Sequence, residues 1–124
     1  MSDPNRQRFG RSAEAAAAEY LQRLGYVILE RNYRTAMGEI DIIAMHESVL
    51  VFVEVKARRT DRFGGAKAAV TPQKQRKISM AALAYLKSER KMGHKARFDV
   101  VAIRADESHL QAEIIRNAFE LAYP

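Results

Sequence analysis

A chain of 124 residues that is 48% hydrophobic and 29% charged has globular composition, which excludes a disordered polar tract or a fibrous repeat and leaves too little chain for a second ordinary core. It contains no cysteine, so disulfides and thiolate metal sites are excluded, and any metal must be held by carboxylate, carbonyl, imidazole or water. The formal charge of +6 is local: residues 55 to 97 hold 13 Lys/Arg against Asp61 and Glu89, while the remainder is net acidic, a pattern that fits a polyanion partner or, more simply, a solvated basic helix face.

Met1 to Arg11 lacks the apolar stretch of a signal peptide, and no run approaches the ~18 apolar residues of a membrane span. A cytoplasmic protein without membrane contact is expected, as one domain over residues 1–124 with its core at about 9–119. From Ser12 to Leu24, Ala13, Ala17, Tyr20, Leu21 and Leu24 recur at helical spacing and Gly25 stands where a C-terminal cap belongs. Tyr26 to Tyr33 is rich in β-branched and aromatic residues and predicts a strand. Ile40–Met45 and Val49–Lys56 are two further apolar runs, parted by His46, Glu47 and Ser48, and predict an antiparallel hairpin at the centre of a sheet.

Thr60 to Ala66 reads as a glycine-containing loop. Thr71-Pro72 supplies an N-cap and a proline at the first helical position of a second, basic helix whose apolar spacing runs through Ile78, Ala81, Ala82, Tyr85 and Leu86 and stops before Gly93. Phe98–Ile103 and Glu113–Phe119 predict two last strands around a polar turn at Ala105 to Ser108. The order helix, strand, hairpin, helix, strand, strand is that of an α/β fold around a mixed sheet.

Asp41 and Glu54 are charges placed inside strands apolar enough for burial, where an ionised carboxylate needs a partner or a metal. Strand alternation puts Glu54 and Lys56 on one face, with Val49, Val51, Val53 and Val55 on the other. If an even number of residues closes the hairpin, with Ala44 opposite Val49, Asp41 lies diagonal to Glu54 on that same face; an odd number sends it to the other. Glu14 shares an inward helical stripe with Ala17, Ala18, Leu21 and Leu24, unlike Glu19. Two or three carboxylates beside a lysine suit phosphodiester hydrolysis with Mg2+ or Mn2+, and a buried Asp/Glu–Lys ion pair suits the same spacing.

His46, His94 and His109 fall on expected turns and read as exposed residues rather than zinc ligands. No serine sits in a nucleophile elbow and no glycine run cradles phosphate. Arg58, Arg59 and Arg62 follow the lysine directly, and Lys74 and Lys77 open the second helix. These five are the expected nucleic-acid contacts, aimed at the phosphate backbone. Tyr33 and Phe63 read as packing rather than base-stacking residues.

The string G-E-I-D-I-I-A at 38–44 followed by V-F-V-E-V-K-A-R at 51–58 resembles the PD-(D/E)xK nuclease signature. It is specifically similar to the uncharacterised bacterial YraN family, itself similar to archaeal Holliday-junction resolvases. Gly10, Glu14, Arg31 to Arg34, Lys74, Lys77 and Arg97 to Val101 also match, over roughly residues 9 to 103, and Ala13 stands where members often have Gly. The resemblance implies a restriction-endonuclease-like mixed β-sheet flanked by helices. It implies Asp41 and Glu54 as ligands of Mg2+ or Mn2+, Lys56 as the catalytic lysine and Glu14 as a helix-borne acidic residue. The expected function is a metal-dependent endonuclease-like protein that binds or cleaves structured DNA, branched DNA included, with RNA an open partner and a homodimer suggested by the resolvases. The alternative is a non-catalytic nucleic-acid-binding module that keeps the nuclease fold.

Overall fold

The computed structural model describes residues 4–58, 70–105 and 110–120, with the side chains of 4–11, Arg58 and Ala105 outside that description. Its elements run α1 (Pro4–Arg23), β1 (Val27–Arg34), β2 (Glu39–His46), β3 (Val49–Arg58), α2 (Pro72–Ser88), β4 (Ala96–Ala105) and β5 (Leu110–Phe119), the expected order. The five strands form one sheet in sequence order, antiparallel except for the parallel pair β3 and β4. The parallel pair follows from the helical crossover: α2 intervenes between β3 and β4, whereas β1 and β2, and β2 and β3, are joined by short turns. This mixed sheet flanked by two helices is the restriction-endonuclease-like α/β architecture.

Each helix covers one face. On one side Ala13, Ala17, Ala18 and Leu21 of α1 pack on Ile42, Ala44, Val51, Val53, Val101 and Ile103. The alanines have almost no side chain to hold the helix off, so its backbone can approach the sheet closely. On the other side Ile78, Ala81, Ala82, Tyr85 and Leu86 of α2 pack on Ile43, Leu50, Phe52, Phe98 and Val100. Full burial of a Phe52 or Leu21 side chain stabilises the fold by roughly 1.5–3 kcal/mol. None of the described helices is long and apolar enough to cross a membrane.

The helix ends show how closely local signals translate. Gly25, at φ 91°, ends α1 in a Schellman motif, its N–H donating to Gln22 and that of Tyr26 to Leu21. Thr71 caps α2 by accepting the Lys74 N–H, with Pro72 at the first position. As expected, α2 stops before Gly93, although no glycine ends it. The helix ends at Ser88, and Arg90 takes the left-handed conformation at φ 56° while the Lys91 N–H reaches the Leu86 carbonyl at 2.7 Å. No glycine marks that stop, so side-chain type concealed it. Helix α1 also begins well before Ser12, with Pro4 at its first position.

Two sequence expectations about the hairpin change. The turn is the two residues Glu47 and Ser48, both at positive φ, which matches the twist of the strands they join. His46 therefore belongs to β2, pairs with Val49 and is buried, against the expectation of an exposed turn residue; His94 is exposed as expected. The loop parity is even as needed, but Ala44 faces Val51 rather than Val49. Leu24, counted on the inward stripe of α1, is instead 37% exposed. His109, Phe63 and the stretch 60–66 lie outside the described residues, as does most of the turn expected at 105–108.

Candidate metal and phosphate site

The site grows from a break in the sheet. Strands β2 and β3 pair from His46/Val49 as far as Ile42/Val53, and the same register continued places Asp41 directly opposite Glu54. There the two strands part. The Val55 N–H, instead of reaching a backbone carbonyl, donates to Asp41 Oδ2 at 2.8 Å. On the other side of β2 the pairs Arg31/Ile42 and Tyr33/Ile40 flank the same position, and Asn32 between them adopts φ 54°. Strict alternation fails with the pairing: Ile42 joins the core under α1, yet Ile40 and Ile43 both join the core under α2. Period-two reasoning therefore held along β3 and from Ile43 through Ile42 to Asp41, which lines the α2-side cleft with Glu54 as the even loop requires, and failed only at Ile40.

Helix α2 closes the cleft. Gly38 opens the turn into β2, and a Cβ added there would stand 2.5 Å from the backbone carbonyl oxygen of Lys77, so only glycine lets α2 come this close. As a result a cleft of about 330 Å3 is lined by Gly38, Glu39, Asp41, Glu54, Lys74, Lys77 and Ile78. Glu54 is buried, and its Oε1 pairs directly with Lys74 Nζ and lies 3.6 Å from Lys56 Nζ. Among the described residues no ammonium or guanidinium comes within ion-pair distance of Asp41, whose hydrogen-bond donor is a backbone amide.

The charges answer to this geometry. Burial, then the Glu54 carboxylate, push the Asp41 carboxyl up from its ordinary value to about 7, against the pull of the Val55 N–H, with Glu14 adding a further negative field. Lys56 is held below the usual lysine range by burial and by the neighbouring Lys74 ammonium. For Lys74 burial, the largest single influence, acts in the same downward direction, but the bonds to Glu54 and Lys56 and the fields of Glu54 and Asp41 together outweigh it and the net shift is upward.

Of the residues expected at the site, Asp41, Glu54, Lys56, Lys74 and Lys77 are brought to one end of the α2 side of the sheet. Glu14 is half-buried on α1, across the sheet, and reaches the cluster through its field. Arg58 ends β3 opposite Arg104 with its side chain undescribed, and Arg59 and Arg62 lie outside the described residues. Lys74, expected to contact nucleic acid, is paired with Glu54. Tyr33 packs edge-on against Tyr85, as a packing residue should.

A hard divalent ion such as Mg2+ takes one or two carboxylates and keeps several waters, which Asp41 and Glu54 beside an open cleft can supply. Among the described residues no group of three or more His, Asp or Glu stands ready as a closed ligand shell. The donor set thus fits an oxygen-ligated Mg2+ or Mn2+ with water completing it, and not a protein cage.

Sequence reasoning missed a second polar cluster. Asp99, fully buried on β4, accepts from the Tyr26 hydroxyl at 2.9 Å, the Arg97 Nε at 3.0 and 3.2 Å and the Asn117 N–H at 2.9 Å. Arg97 also donates to the Tyr26 oxygen at 2.8 Å and to His46 Nδ1 at 3.1 Å, and His46 stacks on Tyr26 with ring centres 4.1 Å apart. An acid inside Phe98–Ile103 was the available signal, the same one that drew attention to Asp41.

The family model described as Uncharacterised protein family UPF0102 matches residues 13–103. A UPF0102 protein of Desulfosudis oleivorans is 51% identical over 93% of this chain and 92% of its own length, and one of Syntrophus aciditrophicus is 50% identical over 94% and 91%. A third, from Geobacter metallireducens, is 49% identical over 92% and 93%. The motif strings at 38–44 and 51–58, which build the Asp41–Glu54 cleft, fall within the matched span, and on this footing the chain belongs to the UPF0102 family, the YraN-like family that those strings resemble.

Proposed function

We propose that this protein is a divalent-metal-dependent phosphodiesterase, an endonuclease-like enzyme of the cytoplasm that binds and cleaves structured DNA, four-way junctions included. The observation that carries the reading is that Asp41 and Glu54 face each other where β2 and β3 part, lining one open cleft with Lys74, while Lys56 lies beside Glu54. Asp41 and Glu54 would hold Mg2+ or Mn2+. When bound, such an ion neutralises phosphate charge and makes water a better nucleophile at neutral pH. The chain's own groups do the rest. The Val55 N–H fixes the Asp41 carboxylate, and Glu54 is set by the rigid β3 ladder. Lys56, partly buried and held below its usual range, is placed to donate to a phosphate oxygen or to orient the attacking water. Lys77 and the N-terminal amides of α2 offer positive potential to the flanking backbone. A two-fold dimer would present two such clefts to the two strands of a junction.

The test is cleavage of single-stranded, duplex and four-way-junction DNA with and without Mn2+. Lys56→Met is expected to lower the Mn2+-dependent rate by about 100-fold or more, and Glu54→Gln to abolish it, with both variants still folded by thermal melt. Cleavage that needs no metal, or that survives both substitutions, would sink the reading. The Lys74–Glu54 ion pair favours a second reading, in which the carboxylates are neutralised by lysine and the fold only binds nucleic acid. Salt-sensitive DNA binding with no cleavage in any metal would select it.

A further inference from the structure

The cluster distributes its charge unevenly. Both ammonium groups, Lys56 and Lys74, converge on a single oxygen, Glu54 Oε1, while the facing carboxylate of Asp41 accepts a backbone amide and, among the described residues, has no cation within ion-pair distance. The two lysines also stand close enough for Lys74 to depress Lys56. An arrangement that crowds both ammonium groups at one oxygen, and reaches the next carboxylate only through their field, is not the lowest-energy way to neutralise two acids with two bases. It becomes economical if one of the bases is there to leave.

The two lysines differ in how freely they can leave. Lys56 projects from the central strand β3, where it pairs with Ala102 of β4, and its side chain is 21% exposed. Lys74 projects from the first turn of α2, is 41% exposed and lines the open cleft beside Lys77. Its long, unbranched side chain can swing into the cleft without disturbing the backbone, whose N–H stays bonded to Thr71.

We propose that Lys74 is an exchangeable counter-ion of Glu54, which a divalent cation held by Asp41 and Glu54 displaces and which then pairs with the phosphate of a bound nucleic acid. This rests on the metal-site reading above and adds a coupling to it. Without metal, Lys74 satisfies Glu54 and keeps the buried carboxylate from standing alone. With metal, its charge is expelled by a like charge and becomes available a few ångströms away, in a cleft where, among the described residues, Glu39 is the one lining acid besides the metal-holding Asp41 and Glu54. Metal and phosphodiester therefore bind with positive cooperativity through one side chain.

Isothermal titration of the full chain with MnCl2 tests the exchange, using Lys74→Met and, as a control from the same cleft, Lys77→Met. If Lys74 must leave, Lys74→Met binds Mn2+ roughly tenfold more tightly than the unaltered protein, whereas Lys77→Met, which removes an equal charge but no ion pair to Glu54, changes affinity much less. Equal affinity in Lys74→Met and the unaltered protein overturns the exchange and leaves the metal site standing. No Mn2+ binding in any of the three overturns the exchange together with the metal-site reading. Fluorescence anisotropy of a branched DNA oligonucleotide in the presence and absence of Ca2+ tests the second half. Ca2+ should tighten binding to the unaltered protein by a larger factor than to Lys74→Met, and an equal factor would overturn the transfer of Lys74 to phosphate.

Discussion

Asp41 and Asp99 are both aspartates set into apolar strands of one sheet, and their surroundings are opposite. Asp99 has no exposed surface and takes bonds from three partners, Tyr26, Arg97 and Asn117. Asp41 keeps an open side, has one backbone donor and faces a second carboxylate. The first arrangement spends its donors on the acid and leaves nothing for a ligand. The second withholds them, raising the energy of the ionised carboxylate until something positive arrives. The contrast separates an acid whose bonds tie Tyr26, Arg97 and Asn117 together from one that lines an open cleft beside a second carboxylate, although sequence shows each only as a charge amid valines and isoleucines.

The comparison is broken most directly at Asp99. Asp99→Asn strands the Arg97 guanidinium among buried partners and should lower unfolding stability by roughly 3–5 kcal/mol, read by urea titration at pH 7. A loss below 1 kcal/mol would show that the network is not the structural one of the pair.

Asp41 should respond in the other direction, and through pH. Its folded carboxyl titrates at about 7, above the ordinary 3.8, so between those values the native state binds more protons than the unfolded one. Stability contributed by the protonated form is present below about pH 4 and is lost as pH rises toward 7. The loss amounts to at most about 4 kcal/mol. Asp41→Asn should remove that slope and, in chelator at pH 8, leave the protein as stable as or more stable than the original. Urea midpoints of both proteins at pH 5 and 8 give the measurement; a variant destabilised at pH 8 would make Asp41 a structural partner like Asp99.

A smaller effect sharpens the contrast from the scaffold side. Gly38→Ala places a methyl against the Lys77 carbonyl, which should cost about 1–3 kcal/mol as α2 shifts. Because α2 carries Lys74, the counter-ion that competes with metal for Glu54, the shift should loosen that pair and tighten Mn2+ binding at the Asp41 site while leaving the Tyr26–His46–Arg97 network intact. Unchanged Mn2+ affinity in the variant would mean that the position of α2 does not govern the site.

Much was legible before any coordinates. The element order came from periodicities of 3.6 and 2, Gly25 and Thr71-Pro72 announced their caps, and the face shared by Glu54 and Lys56 followed from alternation along a regular strand. These are local signals, decided by each residue and its near neighbours in the chain. What escaped was decided between segments. Arg90 ends α2 without a glycine, His46 is buried by a ring more than a dozen residues away, and the Ala44 register differs from the expected one by two residues.

By itself, then, the sequence determined that two carboxylates and a lysine would sit in an α/β sheet with a basic helix following them, because spacing along a strand sets direction and composition sets charge. Only the tertiary structure decided which acids would be satisfied. That depends on where β2 leaves β3, on how near Gly38 lets α2 approach, and on Arg97 meeting Tyr26 and His46 across 71 and 51 residues of chain. A carboxylate's protonation and its hunger for a cation are set by groups within a few ångströms, and those groups are chosen by packing, not by sequence distance.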